Sequence, residues 1–296
     1  MSVSPIWPAG SAVNAEGEIT FHGRTAESLL DEFGSPLYVI DTDDVRARAT
    51  KFVHAASHAF NNTVTHVSFA GKALLSKEIC RIVTESGMLI DTCTMGEMRI
   101  ALAAGVPGRR LVLHGNNKSD AEIELAIEQG FAKIVIDEPD EPERVAAIAR
   151  KLGKRARVMR RVTVGVHAGG HEYISTAHED QKFGVALLPA GADTAKLGVL
   201  DDLTDVTPAG SNARLGENAA YAADQAAHAG HAERKLQYDI KYPYDLSHEK
   251  VSEGDRKLAE AMTMVADGPA LAVLKDIYRR QDVLELVGVH SHIGSN

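Results

Sequence analysis

The sequence has little cysteine, no excess of positive charge and no long apolar run. Cys80 and Cys93 are its two cysteines, and with neither C-x-x-C spacing nor a secretory signal they predict a reducing, cytoplasmic setting. Asp and Glu number 41 against 32 Lys and Arg, and the net charge of −9 disfavours nucleic acid or an anionic membrane as a partner. No apolar run approaches the roughly 18 residues of a membrane span. We therefore expect a globular protein that acts on a small molecule.

Motifs for nucleotides and metals are also missing. The chain has neither G-x-x-x-x-G-K-[ST] nor a G-x-G-x-x-G after a strand, which argues against nucleotide binding. His167, His171 and His178 surround the pair Gly169-Gly170, so they read as loop residues and not as converging ligands. We expect no metal site.

What the sequence does have, from residue 64 to 165, is an alternation of short apolar runs with amphipathic helical patterns. This predicts an α/β fold with parallel strands. The candidate strands are VTHVSFAG at 64–71, MLIDTC at 88–93, RLVLHG at 110–115, KIVIDE at 133–138 and ARVMRRVTV at 156–164. Polar residues at their ends recur every 19 to 24 residues, namely Lys72, Asp91, His114, Asp137 and Arg161. That period is close to the β/α unit of a TIM-type barrel, which takes about 25 to 30 residues.

Helix boundaries are marked by capping residues. Ser119 and Glu122 form an S-x-x-E capping box, and Gly130 marks the end of the same helix. Asp140 is a candidate N-cap residue at the start of the next helix, and Gly153 marks the end of that helix.

The flanking regions predict the domain organisation. Residues 1–62 form an N-terminal segment that is loose over 1–25, helical over 26–34, a strand over 35–41 and helical over 43–60. Residues 63–296 form an incomplete barrel, in which the rhythm fails over an acidic, Ala- and Gly-rich stretch at 188–282 and returns for a strand at 283–294. The expected barrel therefore has six of the eight strands.

Lys72 is the first candidate for chemistry, because an apolar strand that ends in lysine can bury an amine. Burial favours the neutral, nucleophilic form of an amine, which can capture an aldehyde. The alternative is an ordinary surface lysine at a strand end.

His290 and His292 are the second candidate, because H-x-H spacing on a strand points both rings to one side. Zinc hydrolases also use this spacing on a barrel strand, and two exposed loop histidines are a third interpretation.

Several of these segments resemble the fold-type III pyridoxal phosphate decarboxylases. Phe69-Ala70-Gly71-Lys72-Ala73 resembles their Y-A-x-K-A pattern with Phe for Tyr, LIDTCTMGE at 89–97 is similar to L-D-x-x-S-x-G-E, and HIGS at 292–295 matches H-[VI]-G-S. LHGNNKSDAEIELAIEQG at 113–130 and HEYISTAHEDQKFG at 171–184 resemble the diaminopimelate decarboxylases in particular. The resemblance covers about residues 25–187 and 284–295 and is absent over 188–282.

The resemblance implies pyridoxal 5'-phosphate as cofactor and gives roles to six residues. Lys72 would carry the cofactor covalently and His292 would stack on its ring, and these two are the implied catalytic residues. Asp91, Arg161, Gly294 and Ser295 would complete the cofactor site, with Ser295 reaching the phosphate. Some of the polar positions in these motifs also have a purely structural interpretation.

Those alternatives concern the strand-end charges. The resemblance also gives Glu97, six residues after Asp91, a role in orienting the cofactor side of the pocket. Asp91 and Glu97 could each instead cap a helix, and Arg161 could form a structural salt bridge. Both interpretations of each residue stay open at this point.

The function implied is decarboxylation of meso-2,6-diaminopimelate to L-lysine and carbon dioxide, the last step of lysine biosynthesis, by a lyase that is a homodimer in the full-length family. The family's glycine-rich phosphate loop, its E-P-G-R segment and its C-terminal β domain do not occur in this sequence. An alternative is therefore a truncated, catalytically silent fragment that binds the cofactor weakly or not at all. A small single-domain pyridoxal phosphate carrier is a third hypothesis.

Overall fold

The computed structural model describes residues 6–61, 63–163, 183–192, 260 and 263–292. The chain divides into two compact units, of which the first comprises Met1–Met159 and Arg280–His290 and the second Arg160–Arg279 and Ser291–Asn296. The division predicted from the sequence, after residue 62, stays a prediction. Gly294, Ser295 and the three histidines at 167, 171 and 178 lie outside the described residues.

The first unit opens with a small antiparallel sheet. Its strands are β1 (Ser11–Val13), β2 (Ile19–Phe21) and β3 (Arg24–Thr25), paired in that order. The prediction of loose structure over residues 1–25 is therefore wrong for the described part, residues 6–25. These strands are two or three residues long, too short to show an alternating apolar pattern.

Two helices follow this sheet, and no strand lies between them. Helix α1 (Ala26–Phe33) and helix α2 (Thr42–Ala59) agree with the predicted helices. The strand predicted over 35–41 is wrong, because these residues are assigned to no strand. Their apolar side chains meet solvent instead of a sheet, and Tyr38 is 95% exposed.

The predicted alternation of strands and helices is confirmed in the rest of the first unit. Strands β4 (Ser68–Ala70), β5 (Leu89–Thr92), β6 (Leu111–Leu113) and β7 (Lys133–Ile136) pair in parallel in chain order. Beyond them, β8 (Ala156–Thr163) lies between β7 and a strand near the C-terminus, β10 (Leu284–His290). The intervening helices are α3 (Lys77–Glu85), α4 (Met95–Ala103), α5 (Asp120–Glu128) and α6 (Glu141–Leu152).

The capping signals are confirmed with one exception. Ser119 and Glu122 form the predicted capping box of α5, and Gly153 ends α6 in the left-handed conformation with φ of 62°. The side chain of Asp140 does not cap α6, because the backbone of this residue is helical and its side chain makes no capping hydrogen bond. Glu141 bonds the amides before α6 instead, as described below.

The core of the first unit includes an apolar layer in which each strand contributes one residue. Leu89, Val112 and Val135 are buried together, and Met159 packs against them. These positions are 23, 23 and 24 residues apart, so the β/α period seen in the sequence brings one residue of each strand into the layer. In the strand register the layer is staggered, because Val112 pairs with Asp91, two residues after Leu89.

The second unit includes the end of β8 and two further elements. Residues Val162 and Thr163 of β8 pair in parallel with β9 (Val185–Ala186), a two-residue strand that sequence reasoning did not find. Among the described residues, β9 brings this sheet to seven strands, one more than the six predicted. Helix α7 (Pro269–Arg279) buries Ala270, Val273 and Ile277. In the described ranges, no helix combines the length and the apolar character needed to cross a bilayer.

Candidate active site

Polar side chains follow the apolar layer at the carboxyl ends of the strands in the first unit. Successive side chains of a strand alternate between faces, so a residue two positions after a core residue points to the same face. Asp91 follows Leu89 on β5, and His114 follows Val112 just beyond β6. The core layer thus places a polar layer directly above itself, at the end of the sheet where parallel β/α proteins bind ligands.

Lys72 lies at the same strand ends, but it is not buried. A short 3₁₀ turn over Gly71–Ala73 follows β4, and the residue itself is exposed. The expectation of a buried amine is therefore wrong for this structure. The physical reason is that, among the described strands, β4 is the edge strand of the sheet and has only β5 beside it.

Gly71 allows the end of β4 to approach β5 closely. Ala70 is in register with Asp91, and a Cβ atom on Gly71 would lie 2.7 Å from the carbonyl oxygen of Asp91. Any larger residue would push the two strands apart, so the small residue before Lys72 is a packing requirement.

Asp91 and His114 form a hydrogen-bonded pair across β5 and β6. Oδ1 of Asp91 contacts Nδ1 of His114, and the two side chains are 23% and 20% exposed. An ionised carboxylate can only accept, so Nδ1 carries the proton and donates it. This partner assigns Asp91 to the strand-end site and not to a helix cap.

The other nitrogen of His114 has no partner among the described residues. With Nδ1 protonated, Nε2 of a neutral imidazole is a hydrogen-bond acceptor, and this atom is buried. The His114 ring packs edge to face with that of His290, with centroids 4.7 Å apart and planes 63° apart. We call Asp91, His114 and His290 the carboxylate–histidine array.

Cys93 lies among the charges at these strand ends. Burial, reinforced by the negative charges of Asp91 and Glu97, raises the pKa of the Cys93 thiol to about 11, against the opposing effect of Lys72 and Lys118. Four charged groups thus act on one thiol, and the thiol is neutral near pH 7.

Glu97 caps a helix. Its Oε2 accepts hydrogen bonds from the backbone amides of Cys93 at 2.6 Å and Thr94 at 2.9 Å, and Thr94 completes a capping box at the start of α4. The capping interpretation of Glu97 is confirmed. Ser119 and Glu122 form the same kind of capping box at the start of α5.

A buried ion pair supports the loops after β6 and β7. Nζ of Lys118 donates to Oε1 of Glu141 at 2.8 Å and also to the carbonyl of Gly115, and the two side chains are 1% and 0% exposed. Oε2 of Glu141 accepts from the backbone amides of Asp137 and Glu138. The pair therefore joins the segment that carries His114 to the start of α6.

Arg161 and His292, both predicted as cofactor residues, belong to the second unit. Arg161 is 6% exposed, and its guanidinium stands 4.6 Å from the ring centroid of Phe183. Strand β10 ends at His290, so the alternation argument that placed both histidines on one side does not extend to His292. Their roles at the cofactor stay predictions.

Another group of potential ligands lies near the N-terminus. Ligand atoms of His22, Asp41 and Asp43 are within 4.8 Å of one another. Asp41, however, accepts from the amides of Gly10 and Asp44 and from Nε2 of His22, and the Asp44 amide is the main cause that lowers the pKa of the Asp41 carboxyl. These bonds explain Asp41 as the cap of α2, so we assign no metal to the group.

Sequence reasoning proposed Lys72, Asp91 and Arg161 as site residues but gave no site role to His114. The signal was present, because His114 stands 23 residues after Asp91 in the series of strand-end polar residues. The partnership with His290 carried no comparable signal, since a strand far along the chain supplies that ring.

Comparison with known proteins agrees with the motif-based resemblance. Residues 44–242 match the family described as the pyridoxal binding domain of pyridoxal-dependent decarboxylases. The matched range includes Lys72, Asp91 and His114, and it enters the stretch 188–282 in which the motifs show no family resemblance. It ends before the strand that carries His290.

Individual relatives and solved structures point the same way. The chain is 42% identical over 190 residues to the diaminopimelate decarboxylase of Mycobacterium tuberculosis, covering 64% of this chain and 41% of that protein. It is 36% identical over 177 residues to that of Bacillus subtilis, covering 60% of this chain and 40% of the relative. The chain thus spans about two fifths of the length of these relatives.

A solved structure of the M. jannaschii diaminopimelate decarboxylase, in complex with L-lysine, has a TM-score of 0.63 to this chain. At 21% identity it covers 97% of this chain and 48% of its own. This likeness concerns the fold alone, and it agrees with the predicted partial barrel.

Proposed function

Because the chain belongs to the pyridoxal-dependent decarboxylases, whose pyridoxal binding domain it matches, we propose that it binds pyridoxal 5'-phosphate at the strand ends that carry Lys72, Asp91 and His114. The reaction we propose is decarboxylation of meso-2,6-diaminopimelate to L-lysine and carbon dioxide. The observation that carries this proposal is the exposed amine of Lys72, next in the chain to the glycine at which β4 closes on Asp91.

The residues at these strand ends suit such a group. An accessible amine can bond to an aldehyde, and Nε2 of His114 is a buried acceptor without a protein donor among the described residues. Gly71 and Gly115 add no side chains at the ends of β4 and β6. Bound pyridoxal phosphate supplies a conjugated ring that accepts the electron pair left when a carboxylate departs as carbon dioxide.

The chain's own residues would bind and orient. Lys72 would hold the cofactor through its amine, and Asp91 would keep His114 in the tautomer that leaves Nε2 as an acceptor. From the family resemblance we further propose that Arg161, His292, Gly294 and Ser295 contribute to the cofactor site, with His292 against the ring.

The same resemblance supports three statements about the cellular context. We propose that the chain binds the small-molecule substrate. We also propose that the full-length proteins of the family form homodimers. The location we propose is the cytoplasm.

A covalent labelling experiment tests the proposal. The 296-residue chain is mixed with pyridoxal phosphate, reduced with borohydride, digested and analysed by mass spectrometry. We expect the label on the peptide that contains Lys72 and its loss in Lys72→Ala. Lys77→Ala is the matched control, because Lys77 is also exposed and begins α3 only five positions later.

Carbon dioxide release from meso-diaminopimelate then separates the two hypotheses. Release that depends on Lys72 supports decarboxylation by this chain. Label on Lys72 without release supports the alternative hypothesis, that the chain binds the cofactor but is catalytically silent. A label that persists in Lys72→Ala refutes the cofactor assignment.

A further inference from the structure

The buried Nε2 of His114 has no hydrogen-bond partner among the described residues, and in the neutral tautomer whose Nδ1 donates to Asp91 this atom is an acceptor. Leaving a buried polar atom unpaired costs about 1–3 kcal/mol, and such atoms are rare in native proteins. The cost is tolerated where an external group completes the bond. The acceptor therefore indicates a ligand that carries a donor.

The geometry of the array keeps Nε2 in the accepting state. Asp91 takes the proton on Nδ1, and His290 packs edge to face against the ring, so both the tautomer and the ring plane are constrained. In metal sites, a carboxylate that holds a histidine in this way fixes the tautomer and the orientation of the ring, and the same physical effect applies to His114.

The charges around the array include a cation that is available as a donor. Asp91 and Glu97 are the negative groups that act on neighbouring Cys93, and Lys72 and Lys118 are the positive ones. Lys118 is committed, because its ammonium is buried against Glu141 and the Gly115 carbonyl. Lys72 makes no hydrogen bond or ion pair with the described residues, so its ammonium is available.

We propose that the array is a primary-ammonium receptor, in which Nε2 of His114 accepts a hydrogen bond from an ammonium group and thereby positions it at the strand ends. Two sources share this chemistry, namely Lys72 itself while its amine is not bonded to the cofactor, and the amino group of an amine ligand such as L-lysine. The inference deepens the proposed function and rests on it, because L-lysine is the product of the proposed reaction. His114 is a positioning residue in this scheme, because it acts through the amine.

Nitrogen NMR of the histidine side chains tests the receptor directly. The full chain is labelled with ¹⁵N-histidine, and the resonances of His114 are assigned by their loss in His114→Asn, with His114→Gln as a second variant if the first does not fold. We expect Nε2 to be the unprotonated nitrogen. A signal showing the proton on Nε2 overturns the proposal.

Two comparisons identify the source of the ammonium. A change of the Nε2 shift in Lys72→Ala, but not in Lys77→Ala, assigns Lys72, and a change on adding L-lysine, but not hexanoate, assigns the amine ligand. Hexanoate is the control because it has the same six-carbon chain and carboxylate without an amine. No change in either comparison overturns the proposal.

Affinity gives an independent readout. His114→Asn can still donate to Asp91 from its short amide but lacks the distal acceptor, and we expect L-lysine binding to weaken by about tenfold to a hundredfold, the usual effect of losing one hydrogen bond to a charged group. Unchanged L-lysine binding in a folded variant, together with normal labelling of Lys72 in the wild type, would remove this inference and leave the proposed function intact. Absence of label in the wild type would instead refute the proposed function.

Discussion

Replacing Lys118 with methionine removes the positive partner of a carboxylate that is fully buried. Nζ of Lys118 makes two bonds, one to Oε1 of Glu141 at 2.8 Å and one to the carbonyl of Gly115. Each hydrogen bond to a charged group contributes about 1.5–3 kcal/mol, and Glu141 would lose this charged partner in a site with no access to water. We therefore expect Lys118→Met to lower the free energy of unfolding by about 3–5 kcal/mol, as for other buried pairs that lose one partner.

Urea unfolding of the full chain, followed by circular dichroism, measures this loss as a shift of the midpoint. Lys151→Met is the matched control, since Lys151 also contacts one glutamate, Glu124, at 3.0 Å, but its side chain is 70% exposed. An exposed pair contributes about 0–1 kcal/mol, so the control should unfold close to the wild type.

A double-mutant cycle isolates the pair itself. Glu141→Gln keeps the side-chain carbonyl that accepts from the amides of Asp137 and Glu138, while it removes the buried charge. The double variant should therefore be more stable than the sum of the two single losses predicts, by about 2–3 kcal/mol. The reasoning is refuted if Lys118→Met unfolds like Lys151→Met, or if the two single effects simply add.

Two further predictions concern the cap of α5 and the half-buried thiol of Cys93. Ser119→Ala removes a capping-box side chain and should cost about 1 kcal/mol in the same urea assay, whereas Asp140→Ala, which removes no capping bond, should cost less than about 0.5 kcal/mol. Because the Cys93 pKa is about 11, its alkylation by iodoacetamide at pH 8 should be on the order of a hundredfold slower than that of an ordinary thiol and should rise until the pH passes that value. Asp91→Asn removes one charge that raises this pKa and should speed the reaction, and an unchanged rate would contradict the stated cause.

The strands and helices between residues 64 and 163 could be predicted because each is specified by its own residues. Buried runs such as LVL at 111–113 are flanked by capping signals, and the capping box of α5 forms as its sequence indicates. Asp140 shows the limit of this local information. Its pattern is that of a cap, but Glu141 already bonds the amides of Asp137 and Glu138, so the competing buried carboxylate decides the outcome.

Elements that depend on distant partners could not be predicted. Residues 35–41 have the composition of a strand, yet a strand requires a neighbour to pair with, and Tyr38 is exposed in the structure. Conversely, β1 to β3 are too short to show periodicity, and they form because three segments meet. Strand β9 has two residues, so it is also too short to show periodicity in the sequence.

The candidate site was predictable in its layering but not in its bonds. Because the β/α period is nearly constant, the core residues and the polar residues two positions after them recur together, as in Leu89 with Asp91 and Val112 with His114. The pleat therefore determines that Asp91 and His114 share a face. Whether their atoms meet depends on the stagger between β5 and β6, which is a property of the assembled sheet.

This separation of layers also explains how the site can be polar without weakening the sheet. Leu89, Val112 and Val135 are buried within the sheet, whereas the side chains of Asp91 and His114, one step nearer the strand ends, are about one fifth exposed. Water that reaches Asp91 reduces the cost of its charge, while the inner apolar layer keeps the strands in register. The stability of the apolar layer beneath therefore offsets the cost of the unpaired acceptor at His114 while no ligand is bound.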